Sequence, residues 1–106
     1  MTCQKYNLDF DDLVREDLDG IYKYLYWVSQ DKNVAGSFVA RIENAINNIA
    51  FFPRTYPRML NDGLYEEGYR KLVFANYIVP FTIDEETKTV NIMRVLHGRM
   101  DYQRFL

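Results

Sequence analysis

The chain has 106 residues, of which 48% are hydrophobic and 26% charged, and its formal net charge at pH 7 is −2. This length fits a single core, so we expect residues 1–106 to form one domain, and the composition excludes an intrinsically disordered chain. No apolar run approaches the roughly 18 residues of a membrane-spanning helix, and the first residues lack the apolar core of a secretory signal. We therefore expect a cytoplasmic protein. An internal disulfide is excluded because Cys3 is the only cysteine.

Acidic and basic residues are distributed unevenly along the chain. Residues 1–50 contain eight acids and five bases, a net charge of −3, whereas residues 51–106 contain seven acids and eight bases, a net charge of +1. A mixed, solvated surface is the favoured interpretation, because nucleic-acid-binding domains usually carry a concentrated basic patch. Such a patch fits only the C-terminal part of this chain.

The first half of the sequence predicts one strand and two helices. Residues 5–10 alternate apolar and polar side chains, as a half-buried strand does. Two helical stripes follow, the first capped by Asp11 or Asp12 and the second by Asp31 or Asn33. The stripes consist of Val14, Leu18, Ile21, Tyr22, Leu25 and Val28 in the first helix and Phe38, Ile42, Ala45, Ile46 and Ile49 in the second. The short break between the helices predicts an antiparallel hairpin.

The second half predicts a loop and three strands. Pro53 ends the second helix, and residues 51–68 form a loop rich in turn-forming residues. Strands over residues 69–74, 77–84 and 90–95 are joined by short turns, so they are antiparallel neighbours. Pro80 removes a hydrogen-bond donor from the middle strand, which should therefore be irregular there or place Pro80 at an edge or a bulge.

These elements predict an α+β fold with the order β-α-α-β-β-β and a short C-terminal helix or tail. The helical hairpin packs on one face of an antiparallel sheet. The other sheet face is expected to stay open, and basic side chains at its rim would suit a polymeric ligand.

The C-terminal segment holds the residue types that RNA cleavage requires. His97, Arg99 and Tyr102 lie within six positions, and the strand meander is expected to bring Arg70 and Arg94 towards them. Histidine suits a general base near neutral pH, and arginine suits the charge on a phosphorane. A structural role competes at each position: a surface or capping histidine, an ion-paired arginine, and a tyrosine that anchors the tail.

Other catalytic classes lack their motifs. The sequence contains no phosphate-binding glycine loop, no serine-hydrolase elbow and no zinc-protease motif. One cysteine and one histidine do not make a four-ligand zinc site without several carboxylates. We therefore expect no metal and no cofactor.

Four stretches of sequence, together with the order of the elements, resemble the RelE/ParE family of toxins from type II toxin-antitoxin modules. They are EDLDGIYKY at residues 16–24, INNIAFFP at 46–53, YRKLVFANY at 69–77 and, most specific, IMRVLHGRMDY at 92–102. The resemblance spans nearly the whole chain. It implies a small α+β toxin that is neutralised by an antitoxin encoded beside it, in a toxin-antitoxin hetero-oligomer.

The resemblance implies two possible mechanisms. RelE-like members cut ribosome-bound mRNA without a metal, whereas ParE-like members inhibit DNA gyrase without known catalysis. For the nuclease, the expected catalytic residues are Arg70, His97, Arg99 and Tyr102. The expected substrate-binding residues are Arg54, Arg58, Lys71 and Arg94. The metal-independent endoribonuclease is slightly favoured, and a toxin of either kind would inhibit growth and stabilise a plasmid that carries the module.

Three features favour the alternatives. The HGRMD string is at least as typical of ParE-like chains, and the net charge is acidic although ribosome-binding toxins are usually basic. Ile78 and Pro80 stand where family members often have a cation and a regular strand. Gyrase inhibition is the first alternative, and a catalytically silent member that binds the antitoxin is the second.

Aromatic residues crowd the first helix at Tyr22, Tyr24, Tyr26 and Trp27. A base-stacking surface is one interpretation, but an amphipathic helix favours core and partner-interface roles. Tyr24, Tyr26 and Trp27 exceed what one core stripe needs, so they would give an antitoxin an apolar surface to cover.

Overall fold

The computed structural model describes residues 5–60, 63–98 and 106, which contain two α-helices and five strands. In chain order the elements are β1 (Asn7–Phe10), α1 (Asp12–Ser29), α2 (Lys32–Asn48), a 3₁₀ helix (Pro53–Thr55), β2 (Arg70–Phe74), β3 (Tyr77–Asp84), β4 (Thr89–Ile92) and β5 (Leu96–His97). The predicted α+β class and element order are confirmed. Strand β5 was not predicted, and the predicted C-terminal helix or tail lies outside the described residues.

Both helices begin at aspartate caps. The Asp11 side chain accepts a hydrogen bond from the Leu13 amide at 3.0 Å, and the Asp31 side chain accepts one from the Asn33 amide at 2.8 Å. These carboxylates satisfy amides that have no partner within the helix. Helix α1 ends where Gln30 adopts a left-handed conformation, with φ of 55°. Neither helix, nor any other in the described part of the chain, is long and apolar enough to cross a membrane.

The sheet is mixed rather than purely antiparallel. Its strands lie in the order β1-β4-β3-β2, and β5 pairs with β3 beyond the end of β4. Strand β1 is parallel to β4, and the other pairs are antiparallel. The prediction of an antiparallel sheet is therefore correct for the meander and wrong for β1. No tight turn joins β1 to β4, so turn length does not fix their relative direction.

A β-bulge lies opposite Pro80. The ladder pairs Phe81 with Ile92 and Ile78 with Leu96, so two residues of β3 face three residues of the other strand. The extra residue is the signature of a bulge, and the predicted irregularity at Pro80 is confirmed. Strand β4 consequently ends at Ile92 and not at residue 95, as the sequence had suggested.

The main core lies between the helices and one sheet face. Its buried members are Val14, Ile21, Ile42, Ile46, Ile49, Leu72, Val79, Phe81, Val90, Ile92 and Val95. Most of the predicted helical stripes contribute to this core. Tyr22 and Val28 are not among its members, and Val28 is 58% exposed near the end of α1.

The opposite sheet face is not fully open, contrary to the prediction. A second apolar cluster contains the buried residues Met59, Leu64 and Tyr69, with Met93 and Leu106 packed against it. Tyr69 precedes the first residue of β2, and side chains alternate between the faces of a strand, so this cluster lies on the side away from Leu72 and the helices. The loop before β2 therefore covers part of the face that the sequence suggested was free.

Candidate functional site

Arg58 and Arg70 face each other across a short antiparallel bridge at the outer edge of β2. The Met59 amide donates to the Tyr69 carbonyl at 2.8 Å, and the Lys71 amide donates to the Pro57 carbonyl at 3.1 Å. These flanking bonds make Arg58 and Arg70 a non-hydrogen-bonded pair, the arrangement in which opposite side chains come closest. The fold thus places two like charges side by side.

Both guanidinium groups are held in position by backbone carbonyls. Arg70 Nη1 donates to the Tyr56 carbonyl at 2.7 Å and to the Arg54 carbonyl at 3.2 Å. Arg58 Nη2 donates to the Tyr65 carbonyl at 2.6 Å, and its guanidinium lies 3.8 Å from the centre of the Tyr65 ring. Each arginine uses part of its donor set in these contacts, so the remaining N–H groups are available to a ligand.

Arg54 is the third cation of this group, and it is oriented by Glu85. The Nε and Nη2 atoms of Arg54 both lie 2.8 Å from Glu85 Oε1. The same carboxylate accepts from Lys88 Nζ at 2.7 Å and from the Tyr6 hydroxyl at 2.9 Å. The hydrogen bonds from Lys88, Tyr6 and Arg54 lower the pKa of Glu85 to about 2. Glu85 therefore stays ionised and joins the β3–β4 turn to the 3₁₀ helix and the start of the chain.

The three arginines line one cavity of about 220 Å³, which we call the arginine cavity. Its remaining lining residues are Glu67, Gly68, Thr82 and Ile83. Desolvation lowers the pKa of Arg70, and the charges of Arg54 and Arg58 lower it further. A bound anion would offset the repulsion between these neighbouring positive charges. The arginine cavity is therefore suited to a phosphate or carboxylate group.

The Glu85 contacts predict a specific dependence of stability on pH. Because the pKa of Glu85 falls from 4.5 to about 2 in the folded chain, its contribution is complete above about pH 4.5 and is lost as pH falls through 2. In the Glu85→Gln variant, the melting temperature should therefore fall less steeply between about pH 4.5 and 2. Glu86→Gln is the matched control from the same turn. Equal pH profiles for the wild type and Glu85→Gln would contradict this role.

His97 lies at the other end of the β2–β3 hairpin from the arginine cavity. It pairs with Tyr77 on β3, with ring centres 5.6 Å apart in an edge-to-face arrangement. Tyr77 faces Phe74 at the end of β2, four residues from Arg70, or about 13 Å along the strand. The expectation that the meander brings Arg70 to His97 is thus wrong. The pairing of β5 with β3 places His97 at the turn end of the hairpin, whereas Arg70 lies at the open end.

Arg94 makes a structural ion pair. Its Nε and Nη2 atoms donate to the two carboxylate oxygens of Asp17, each at 2.8 Å, and the Val95 amide donates to Asp17 at 2.9 Å. The side chains of Arg94 and Asp17 are 15% and 14% exposed. Arg94 therefore fixes the bulged segment to α1 and lies apart from the residues that line the arginine cavity.

Of the remaining expected site residues, Lys71 is described by the structure and does not line the arginine cavity. Lys71 follows Arg70 and faces Pro80, so strand alternation directs it to the other sheet face. Arg99 and Tyr102 lie outside the described residues. Within the described ranges, no group of three His, Cys, Asp or Glu side chains is arranged to hold a metal.

Sequence reasoning missed Glu67, Thr82 and Glu85. Glu85 contacts Tyr6, 79 positions away, and Thr82 on β3 joins Glu67, from the loop before β2, at the cavity. No local pattern signals contacts at such separations. In the sequence, the arginine cavity was indicated only by Arg54 and Arg58 in the loop and by Arg70 at the start of β2.

Residues 8–102 match the family described as ParE toxin of type II toxin-antitoxin system, parDE. The chain belongs to the ParE toxin family. A comparison with curated proteins gives no match. This ParE-family chain is accordingly a toxin of a type II toxin-antitoxin system, and its resemblance to the RelE/ParE family, predicted from the sequence, is confirmed.

Solved structures support the same fold for this ParE-family chain. It is similar to the chromosomal ParDE system from P. aeruginosa, with a TM-score of 0.71 and 20% identity over 88% of this chain and 96% of that one. It is also similar to the RelBE2 toxin-antitoxin complex from Mycobacterium tuberculosis, with a TM-score of 0.62 and 23% identity over 89% and 99%. A mutant of the E. coli toxin RelE in the free state gives a TM-score of 0.60 and 13% identity over 97% and 100%. Both RelE and ParE structures are thus among its relatives in fold.

Proposed function

We propose that this chain arrests growth by binding and inhibiting DNA gyrase, without catalysing a reaction, and that a cognate antitoxin neutralises it. The observation that carries this proposal is the separation of His97 from Arg70 by the length of the β2–β3 hairpin. A nuclease that uses histidine as its general base needs that base within hydrogen-bond reach of a phosphate that the arginines hold. Gyrase inhibition by surface binding has no such requirement.

The identified family and the charge of the chain support the same choice. The matching family is that of ParE toxins, and the net charge is −2. A protein that works on ribosomal RNA and mRNA gains affinity from a net positive charge. A protein target such as gyrase does not impose that condition.

Cleavage of mRNA on the ribosome is the second candidate, and the arginine cavity favours it. Three guanidinium groups and the carboxylate of Glu67 line the same 220 Å³ space. The arginines would bind a phosphate, and a carboxylate is a possible general base. On this alternative the catalytic centre is the arginine cavity and not the region around His97.

Exposed apolar side chains on α1 support the proposal that an antitoxin binds this chain. Trp27 is 74% exposed and Tyr24 is 59% exposed, and Val28 extends the same end of the helix. Exposed aromatic residues of this kind are typical of protein interfaces. The ParDE and RelBE2 relatives are toxin-antitoxin systems, and we extend that type of partner to this chain.

Controlled expression without the antitoxin tests the proposal. We expect growth arrest with induction of the SOS response, DNA breaks linked to gyrase, and intact mRNA. Fragmented mRNA without gyrase-linked breaks would contradict gyrase inhibition and support the second candidate. Unimpaired growth would contradict both and leave the catalytically silent, antitoxin-binding member.

Two variants separate the possible nuclease sites if mRNA is cleaved. Arg70→Ala should abolish cleavage, because it removes a cation of the arginine cavity that two backbone carbonyls hold in place, and should leave antitoxin binding intact. His97→Ala should leave cleavage unchanged if that cavity is the catalytic centre. Loss of cleavage in both variants would restore the site expected from the sequence, and normal cleavage in both would exclude either site.

A further inference from the structure

The loop before β2 leaves apolar side chains exposed beside the arginine cavity. Leu60, which follows Arg58 by two residues, is 81% exposed. The exposed ring of Tyr65 lies 3.8 Å from the guanidinium of Arg58. Phe52 is exposed as well, and it directly precedes the 3₁₀ helix that carries Arg54. We call the three arginines of the cavity, together with Phe52, Leu60 and Tyr65, the loop surface.

The composition of the loop surface is that of a protein interface. Met59 is buried in the second apolar cluster, but its neighbour Leu60 belongs to neither cluster. Single exposed apolar side chains are common on protein surfaces. Here three of them lie beside three arginines, and aromatic and arginine side chains carry much of the binding energy where proteins meet. The loop surface is therefore suited to a protein partner.

The arginine cavity has room for one small anionic group. Its volume of about 220 Å³ lies below the roughly 300–1,000 Å³ of sites that enclose a whole small molecule. Backbone carbonyls already hold the guanidinium groups of Arg58 and Arg70, so these groups bind a carboxylate with little further loss of conformational freedom. One aspartate or glutamate side chain of a partner fits both the volume and the donors.

Acidic residues flank the cavity on two sides. Glu66 and Glu67 lie in the loop just before β2, and the β3–β4 turn, which contains Glu86, is joined to Arg54 by Glu85. A nucleic acid gains affinity from a row of cations along its phosphates. Beyond the cavity it would meet these carboxylates instead. The charges thus favour one isolated carboxylate over a row of phosphates.

A second copy of the chain fits the loop surface less well. It would have to insert one of the acids of residues 1–50, where the negative charge of the chain lies, into the cavity of the next copy. Two different surfaces would then meet head to tail, and such a contact continues into open filaments unless its rotation closes a ring. A different protein as partner is free of this condition.

We propose that gyrase binds the loop surface, with one of its acidic side chains in the arginine cavity and apolar side chains over Leu60 and Tyr65. This inference rests on the proposed function. It adds the face of the toxin that meets gyrase, and it makes Arg58 the residue that joins the charged and the apolar contacts. It also adds the chemistry of the gyrase segment, which is acidic with apolar neighbours.

Charge reversal tests the acidic side chain of gyrase. Purified gyrase and the full-length toxin are mixed without DNA, and calorimetry measures the Kd. Arg58→Glu should weaken binding by about tenfold or more, because it sets a carboxylate against the carboxylate of the partner. Arg41→Glu is the matched control at an exposed position of α2 and should stay within about twofold. Equal binding by both variants would overturn the acidic contact.

Truncation of Leu60 tests the apolar contact without a change of charge. Because Leu60 is exposed and lies in neither cluster, Leu60→Ala should fold as the wild type does, and melting curves check this. It should weaken binding to gyrase by about fivefold or more. Leu13→Ala removes an exposed leucine from α1 and should leave the Kd within about twofold. Equal values for the two variants would overturn the apolar contact.

Two other occupants of the loop surface give different results. If Arg58→Glu weakens binding only when DNA is present, or if the toxin binds DNA alone through Arg58, a phosphate occupies the cavity and the inference is overturned. Sedimentation of the free toxin tests the second copy. Filaments or rings that Arg58→Glu abolishes would assign the loop surface to self-association and would likewise overturn the inference.

The outcomes separate this inference from the proposed function. If the wild type and the double variant Arg58→Glu, Leu60→Ala both arrest growth with gyrase-linked breaks, the inference fails and the proposed function stands. If the wild type neither binds gyrase nor causes such breaks, the proposed function fails, and the docking site fails with it.

Discussion

The Asp17→Ala variant is expected to lose about 3–5 kcal/mol of unfolding free energy. Asp17 accepts two hydrogen bonds from Arg94 and one from the Val95 amide, all between 2.8 and 2.9 Å. The substitution removes the Asp17 carboxylate from a mostly buried guanidinium and from a backbone donor, and a group that loses an acceptor in such a place carries a cost of desolvation. The same contacts hold the bulged segment against α1, so the loss should be global and not confined to one turn.

Chemical denaturation, followed by circular dichroism, measures this loss. Asp19→Ala is the matched control, because Asp19 lies exposed on the same helix; it should change stability by no more than about 0.5 kcal/mol. The double variant Asp17→Ala, Arg94→Ala should lose less than the sum of the single variants, because it also removes the cation that Asp17 neutralises. Similar stabilities for Asp17→Ala and Asp19→Ala would show that the ion pair contributes little.

Phe81→Ala is the second large effect, with an expected loss of about 3–5 kcal/mol of unfolding free energy. Phe81 is fully buried at the centre of β3, and its ring meets that of Tyr56 edge to face at 5.7 Å. Removal of the ring leaves a cavity in the main core. It also removes the support of Tyr56, whose carbonyl holds Arg70, so the arginine cavity should loosen in the same variant.

Two further substitutions serve as controls for Phe81→Ala. Phe52→Ala makes the same chemical change at a side chain that is 59% exposed, and it should cost far less. Phe81→Leu keeps most of the buried apolar volume and should cost about 1.5 kcal/mol or less. If Phe81→Ala and Phe52→Ala were equally stable, the centre of the core would lie elsewhere.

Local signals predicted the elements of the fold, and contacts that are distant in sequence determined their arrangement. The aspartate caps and the bounds of β3 at Tyr77 and Asp84 follow from periodicity and turn residues. The parallel direction of β1 does not, because it depends on a partner 82 positions away at Asn7 and Thr89. The burial of Met59 against the second sheet face likewise depends on how the loop folds back.

The candidate site was predictable only in part, because its residue types can be read from the sequence and the contacts between them cannot. Arg54, Arg58 and Arg70 were singled out as cations, and the structure brings all three to one cavity. His97 was grouped with Arg70 because a meander brings strands together, but the antiparallel order places the start of β2 and the segment after β4 at opposite ends of the sheet. Arg94 was open to two interpretations, and the ion pair with Asp17 selects the structural one.

The bulge opposite Pro80 has a consequence for the side of the sheet on which His97 lies. In a continuous ladder without the extra residue, Leu96 would lie opposite Tyr77. The side chains of Leu96 and His97 would then each point to the other side of the sheet. The bulge instead sets Leu96 opposite Ile78, where it is buried, and sets His97 opposite Tyr77. A single unpaired residue thus determines to which side of the sheet the side chains after it point. It determines which side chains surround His97, the first residue of the HGRMD string, independently of the other residues in that string.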